Sequence, residues 1–469
     1  MTSIVDRSNP PEPGPPRRVS FPSFERSRLS NGLEIYAAPI RRSPLAQLEL
    51  ISRGGGGQQD PQARAGLATL TAGLLDEGTR DSSALELAAR VEKLGGYLAS
   101  GADWDVAHVS TGMLSKHLQD GLQLLAEVAT LANFPPAEVA RLQRQRQAEL
   151  QRRLAQPASQ ASNALLRLIY GTTPYGFSLL GSTQTVASIT RDDILAFHRH
   201  HYGPADAVLI AVGDFDLSQI QASAETALSG WSGSTRVGSI DLSPAPRSEP
   251  TIEIVDRPDA VQTELRLGHE GPPRSAADYA PLQILNSLLG GKFTSRINLN
   301  LRERHGFTYG AHSTFAERLG PGPFVVSTAV ATETVGRAVT EIRAELERIR
   351  EEPVSQTELD ETKGYLLGVF PYSLQRLDGI SSQLGDLAVF SLPDDYHTTL
   401  HDEIGQVDSR QIGEVARKYL HPDRLAIAAV GPATELTAQL GPLGSTRVRT
   451  ALEVESDQPP TPTPSDRRD

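Results

Sequence analysis

The stretch Ile189-Thr-Arg-Asp-Asp-Ile194, followed by Pro204 and the apolar run Val208-Leu-Ile-Ala-Val-Gly213, occurs twice in the chain. It returns as Val407-Asp-Ser-Arg-Gln-Ile412, Pro422 and Leu425-Ala-Ile-Ala-Ala-Val-Gly431, with helix start, proline and terminal glycine in unbroken register. Phe134-Pro-Pro-Ala-Glu138 has a partner in Glu352-Pro-Val-Ser-Gln-Thr-Glu358, and Leu74-Leu-Asp-Glu-Gly78 a looser one in Leu288-Leu-Gly-Gly291. Self-similarity over this span marks the tandem duplication of a domain of roughly 200 residues. Long helical stretches among antiparallel strands predict an α+β fold: two homologous domains, each a mostly antiparallel sheet packed with long helices, not a doubly wound βαβ sheet.

Outward from the repeat, residues 1–24 are rich in proline, serine and charge and read as a flexible arm, 25–230 as the first domain, and 231–250 as a linker of Pro, Gly and Ser. Residues 251–448 form the second domain, and 449–469, with Gln458-Pro-Pro-Thr-Pro-Thr-Pro-Ser465, a disordered tail. Asn31-Gly32 signals a hairpin turn ahead of a strand. Helices are expected over 63–76, 84–94, 118–131, 136–154 and 189–200, with strands at 45–51, 106–113 and 207–212.

Composition narrows the function. A net charge of −12 argues against non-specific binding to nucleic acid or to anionic membranes. The chain has no cysteine, so thiolate metal sites and thiol nucleophiles are excluded, and His and carboxylates remain as the strong metal ligands. No apolar run is long enough to span a bilayer. Arg17-Arg18 is followed by no hydrophobic stretch of the kind an export signal needs, and a cytoplasmic location is expected.

The second half carries Asn300-Leu-Arg-Glu-Arg-His-Gly-Phe-Thr-Tyr309. Residues 295–304 read as a helix stopped by His305-Gly306, where glycine favours a left-handed cap, and 307–315 as a strand. Arg302 then lies in the last helical turn and Tyr309 early in the strand. Such a turn could aim a guanidinium fork and a phenol at one place, a combination suited to carbonyls, carboxylates or a developing oxyanion. The plain alternative is an Arg capping its own helix and a half-buried Tyr.

Taken together, the duplication, Leu288-Leu-Gly-Gly-Lys-Phe-Thr-Ser-Arg296, the Arg302–Tyr309 pair and Gly66-Leu-Ala-Thr-Leu-Thr-Ala-Gly-Leu-Leu-Asp-Glu-Gly-Thr79 resemble the pitrilysin/insulinase family of zinc peptidases, over about residues 24–447. The resemblance implies two domains facing each other as a clamshell around a peptide chamber. It also implies an inverted His-x-x-Glu-His zinc motif on a helix, with the Glu as general base. Gly66-Leu67-Ala68 and Gly78-Thr79 bracket that motif here, but its ligand, base and second ligand positions hold Thr69, Ala72 and Gly73. Glu149 falls where the third ligand would lie, and one carboxylate cannot hold zinc alone. The resemblance implies that Arg302 and Tyr309 hold the substrate backbone and steady the tetrahedral intermediate. A chain that keeps this pair and lacks the zinc motif resembles the non-zinc subunit of two-chain bacterial members. The implied partner is a paralogous subunit bearing His-x-x-Glu-His, with zinc in that partner and no cofactor in this chain; peptides would be the substrates. No activity is expected of this chain alone. A non-enzymatic scaffold or peptide-binding, core-like subunit is the alternative.

Other patterns carry less. His198-x-His200-His201 ends a helix, where partial positive charge is welcome. His397 and His401 have i, i+4 spacing beside Asp402-Glu403, yet the family has no metal there. Gly54 to Gly57 lacks the Lys-Ser/Thr of a phosphate loop and reads as a turn. The Arg-rich run from Arg141 to Arg153 reads as a solvated helix face.

Overall fold

The computed structural model describes residue 14 and residues 20–233, 238 and 240–456; most of the expected arm and the tail beyond 456 lie outside the described residues. Among the described residues twelve strands form two six-stranded sheets. The first contains β1 (Glu25–Arg28), β2 (Glu34–Pro39), β3 (Leu45–Ser52), β4 (Tyr97–Ala102), β5 (Ala107–Leu114) and β6 (Ala207–Gly213). The second contains β7 (Thr251–Asp256), β8 (Gln262–Glu270), β9 (Ala311–Phe315), β10 (Pro323–Ala331), β11 (Ala426–Gly431) and β12 (Ser445–Arg449). Their orders, β1-β2-β6-β3-β5-β4 and β12-β7-β11-β8-β10-β9, follow the same path over five strands, so the sequence repeat is a structural one.

Most neighbours are antiparallel, but β2 pairs with β6, and β7 with β11, in parallel. The outermost position beside β2 and β7 is filled differently. In the first half the preceding strand β1 folds back antiparallel through the predicted Asn31-Gly32 turn; in the second the later strand β12 adds in parallel.

Each half packs its helices against one sheet face around its own apolar core. The opposite faces are covered by exchange. Helix Pro157–Tyr170 of the first half lies on the second sheet, where Ala161, Leu165 and Ile169 meet Val255, Ala428 and Val430. Helix Leu377–Val389 of the second half lies on the first, where Ile380, Leu384 and Leu387 meet Tyr36, Val208, Ile210 and Val212. Central strands buried on both faces read as continuous apolar runs, which is why Val208-Leu-Ile-Ala-Val-Gly213 shows no alternation. Polar groups seal the joint: the Asp105 carboxylate accepts from the Tyr175 hydroxyl at 2.6 Å and from the backbone N–H of Leu319 at 2.9 Å.

Three expectations need adjusting. The helix expected over 63–76 is only Leu67–Ala72, preceded by short 3₁₀ turns, and Gly73 caps its end instead of sitting within it. The expected strand over 307–315 begins only at Ala311. The stretch expected as a disordered tail from 449 starts as ordered chain: helix Ala451–Ser456 seats the Glu455 carboxylate on the backbone N–H of Thr183, at the start of helix Thr183–Ser188. At the other end the Phe21 ring lies tilted against His397 at 4.6 Å and Phe24 stacks on Tyr36 at 5.9 Å.

Candidate functional site

Helix Arg296–Asn298 runs on through wide π-type turns at Leu299–Arg304, a local geometry frequent at functional sites. Ile297 and Leu301 are buried, and Asn300 donates to Glu345 at 2.6 Å and to Glu341 at 3.1 Å on the neighbouring helix. The expected stop is present. Gly306 has φ +64°, and its N–H reaches the carbonyl of Arg302. Residues beyond it are held by side chains: Thr308 Oγ1 accepts from Gly310 N–H at 3.0 Å, and Thr328 Oγ1 donates to the Gly310 carbonyl at 3.1 Å. This local turn competes with the sheet ladder, so Tyr309 stands before β9 and not within it.

Tyr309 is 91 % exposed, which removes the half-buried alternative. Arg302 does not cap its own helix either; among the described contacts its guanidinium lies 4.6 Å from the centre of the Phe293 ring and 3.5 Å from the Glu303 carboxylate. Phe293 is itself exposed, in the turn after the close-packed Gly290, whose added Cβ would come within 2.3 Å of the Ser313 nitrogen. Asn298 ties the pieces together, donating to the Phe293 carbonyl at 2.7 Å and accepting from Ala311 N–H at 2.9 Å. The result is an exposed Arg302–Phe293 stack and, on the turn that follows Gly306, an exposed Tyr309. Phe293 carried no signal of its own beyond the phrase it stands in.

In the first half, Thr69, Ala72 and Gly73 share the short helix and its cap, and the long helix Pro136–Leu154 brings Glu149 alongside. Between them lies a side chain the sequence reading assigned to a solvated face. Arg146 donates to Thr69 Oγ1 at 2.8 Å and pairs with Glu149 at 3.6 Å, with its side chain only 12 % exposed. Burial pulls its pKa down while Glu149 supports its charge. Glu149 is also held by Arg153 at 3.1 Å. Thr69 Oγ1 further faces the carbonyls of Gly66 and Leu179. A zinc ion does not fit this set: two positions have no ligand atoms, the carboxylate is committed to two guanidiniums, and one of those already reaches from Glu149 to Thr69. Among the described residues no group of three or more His, Asp or Glu could hold a metal ion.

The remaining patterns resolve as local structure. His198 faces the Ala129 carbonyl at 2.8 Å and His200 that of Ala196, and burial pushes His198 and His201 below the usual imidazole range. Favourable charge at a helix end is therefore the wrong account of His198 and His201. The Gly54–Gly57 turn runs into the 3₁₀ turn Gly57–Gln59 against the backbone of Asp103 and Trp104.

With this geometry in place, sequence profiles described as "Insulinase (Peptidase family M16)" and "Peptidase M16 inactive domain" match residues 51–183 and 188–366. The chain belongs to the insulinase family of peptidases. Relatives include an uncharacterized zinc protease of Mycobacterium bovis, 24% identical over 439 residues that cover 91% of this chain and 96% of the relative. Another, from Rickettsia bellii, is 23% identical over 370 residues, covering 78% of this chain and 88% of that one. A crystal structure described as a peptidase M16 inactive domain from Pseudomonas fluorescens superposes with a TM-score of 0.80 at 28% identity, covering 87% of this chain and 98% of that one. A protease from Helicobacter pylori shares the fold, with a TM-score of 0.79 at 19% identity. As an insulinase-family chain this protein has a peptidase-like architecture. No helix among the described residues is long and apolar enough to cross a membrane.

Proposed function

We propose that this chain is the metal-lacking subunit of a two-chain zinc peptidase. It lends Arg302 and Tyr309 to the site of a paralogous partner that carries His-x-x-Glu-His and the zinc. The observation that carries the reading is the outward presentation of Tyr309, 91 % exposed, and of the Arg302 guanidinium stacked on Phe293, in a chain whose own zinc positions are bridged by Arg146. A Tyr left 91 % exposed contributes nothing to the packing of this chain, and a pure scaffold has no use for it.

In this role the Tyr309 hydroxyl donates to the substrate oxygen as its carbonyl turns tetrahedral, and the Arg302 fork holds a neighbouring carbonyl. Such a donor is worth about a hundredfold to a thousandfold in rate. The peptide lies extended along a sheet edge, gaining main-chain hydrogen bonds. The test is co-purification from the native source. A zinc-bearing paralogue should accompany this chain, with peptide hydrolysis only in the mixture. Tyr309→Phe should leave assembly intact and lower turnover; full activity of that mixed complex would sink the role. Recovery of a stable complex without zinc or proteolysis would favour the scaffold.

A further inference from the structure

The duplication gives the first-half cleft a counterpart. Glu138 and Glu358 are each the third residue of a long helix, Pro136–Leu154 and Gln356–Ser373. Counted from them, Arg146 and Glu149 correspond to Leu366 and Val369. Aligned on Leu74-Leu75 and Leu288-Leu289, Thr69 corresponds to Gln283. The first-half trio is bound together by the Arg146 guanidinium. Gln283, Leu366 and Val369 instead line a cavity of ≈ 230 Å³. Where the first half is closed by a charge, the second is open.

The cavity has a consistent chemistry. Phe370, Leu400 and Ile404 continue its apolar wall. Arg274, on its rim, is already committed: it donates to Glu317 at 2.9 Å and to the Tyr396 hydroxyl at 2.7 Å, and lies 3.5 Å from the centre of the Tyr279 ring. Asp386 also lines the cavity, and its carboxylate has no hydrogen-bond or ion-pair partner among the described residues. Burial, with Glu317, Glu49 and Asp103 nearby and only Arg274 opposing, pushes its pKa up to about 7. His397 and His401 complete the lining. His397 Nε2 donates to the Gln383 carbonyl at 3.0 Å, and burial, with Arg274 adding to it, lowers the pKa of the ring, so that in its neutral form Nδ1 is an acceptor. That Nδ1 and the Nε2 of His401 are both buried without a hydrogen-bond partner. Buried polar atoms are rarely left so.

We propose that this cavity binds a small primary amine with an apolar body. The ammonium pairs with Asp386 and its N–H groups satisfy the imidazole nitrogens, while the hydrocarbon lies against Leu366, Phe370, Leu400 and Ile404. The local field favours a cation: the Arg274 guanidinium is paired with Glu317, and Glu49 and Asp103 add to the negative charge acting on Asp386. At ≈ 230 Å³ the space is smaller than the roughly 300–1,000 Å³ of drug-sized sites and suits a ligand of a single ring or short chain. The site is independent of the role given to Arg302 and Tyr309.

The test is calorimetric titration of the full chain with 2-phenylethylamine and its neutral isostere 2-phenylethanol at about pH 8, where Asp386 is ionised. The amine should bind at least about tenfold more tightly than the alcohol. Asp386→Asn should remove that difference, and Leu366→Trp, which fills the space, should abolish binding of both. If Asp386→Asn does not fold, the unaltered chain serves, because amine affinity should fall about tenfold as Asp386 is protonated between pH 8 and about pH 6 while the amine stays charged. Equal affinity for amine and alcohol, no binding of either, or amine binding indifferent to pH and to Asp386→Asn would overturn the proposal.

Discussion

Arg146 donates to Thr69 across 2.8 Å, joining the two helices that the zinc motif would otherwise bridge through a metal. A fixed guanidinium thus stands where family resemblance places an ion, and it is close to Glu149 as well.

Rebuilding the motif should therefore require removing the cation as well as restoring ligands. Thr69→His, Ala72→Glu and Gly73→His together should still bind zinc weakly, because a buried charge within a few ångströms opposes the ion. Adding Arg146→Gln should tighten zinc binding by at least about a hundredfold. Metal content after equilibrium dialysis against a competing chelator checks this, and equal zinc retention by the triple and quadruple variants would contradict it.

The exposed group in the second half should be silent in stability. Tyr309→Phe should shift the unfolding free energy by less than about 0.5 kcal/mol, as surface changes do. Asn298→Ala should cost about 1–3 kcal/mol, since it frees both the Phe293 turn and the Ala311 N–H that it now ties together. Urea denaturation of the three proteins measures the contrast.

Acidity should also leave a mark. The Asp386 carboxyl is raised from its ordinary 3.8 to about 7, so its contribution is full below the ordinary value and is lost as pH rises through about 7. The Asp60 carboxyl, buried while it caps Gly66 and Ala68 N–H groups, is raised to about 7 and adds the same slope. Asp386→Asn should gain about 2 kcal/mol over the parent at pH 8 and nothing near pH 4, read from denaturation midpoints across that range.

The exchanged helices make a fourth prediction. Leu384 is fully buried between helix Leu377–Val389 and the first sheet, so Leu384→Ala should cost about 2–5 kcal/mol. The loss should appear in one cooperative transition for both halves. Two calorimetric transitions, only one of them moved, would contradict the shared core.

Much of this architecture was legible because the repeat survives at helix starts and strand ends, where Thr190 and Asp408 each cap a helix with the same reciprocal box. The Gly306 stop followed from one residue type whose backbone freedom is nearly unique. Arg146 was misread because a run of Arg, Gln and Glu says nothing about which turn of a helix faces inward. Tyr309 was placed in a strand because local propensity cannot see Thr328, whose hydroxyl holds the Gly310 carbonyl in a turn. The helix exchange left no local trace either: an apolar helix face announces that something covers it, not which half of the chain does.

That exchange has a consequence for the segment joining the halves. Trp231 at its start and Leu242 within it are both buried, so the described part of the segment is packed onto the halves it joins. Each half wears a helix belonging to the other, so a chain severed between them should stay assembled as a non-covalent pair and elute as one species in size-exclusion chromatography. The division between one polypeptide and two is, for this architecture, a matter of where the gene stops and not of how the molecule holds together.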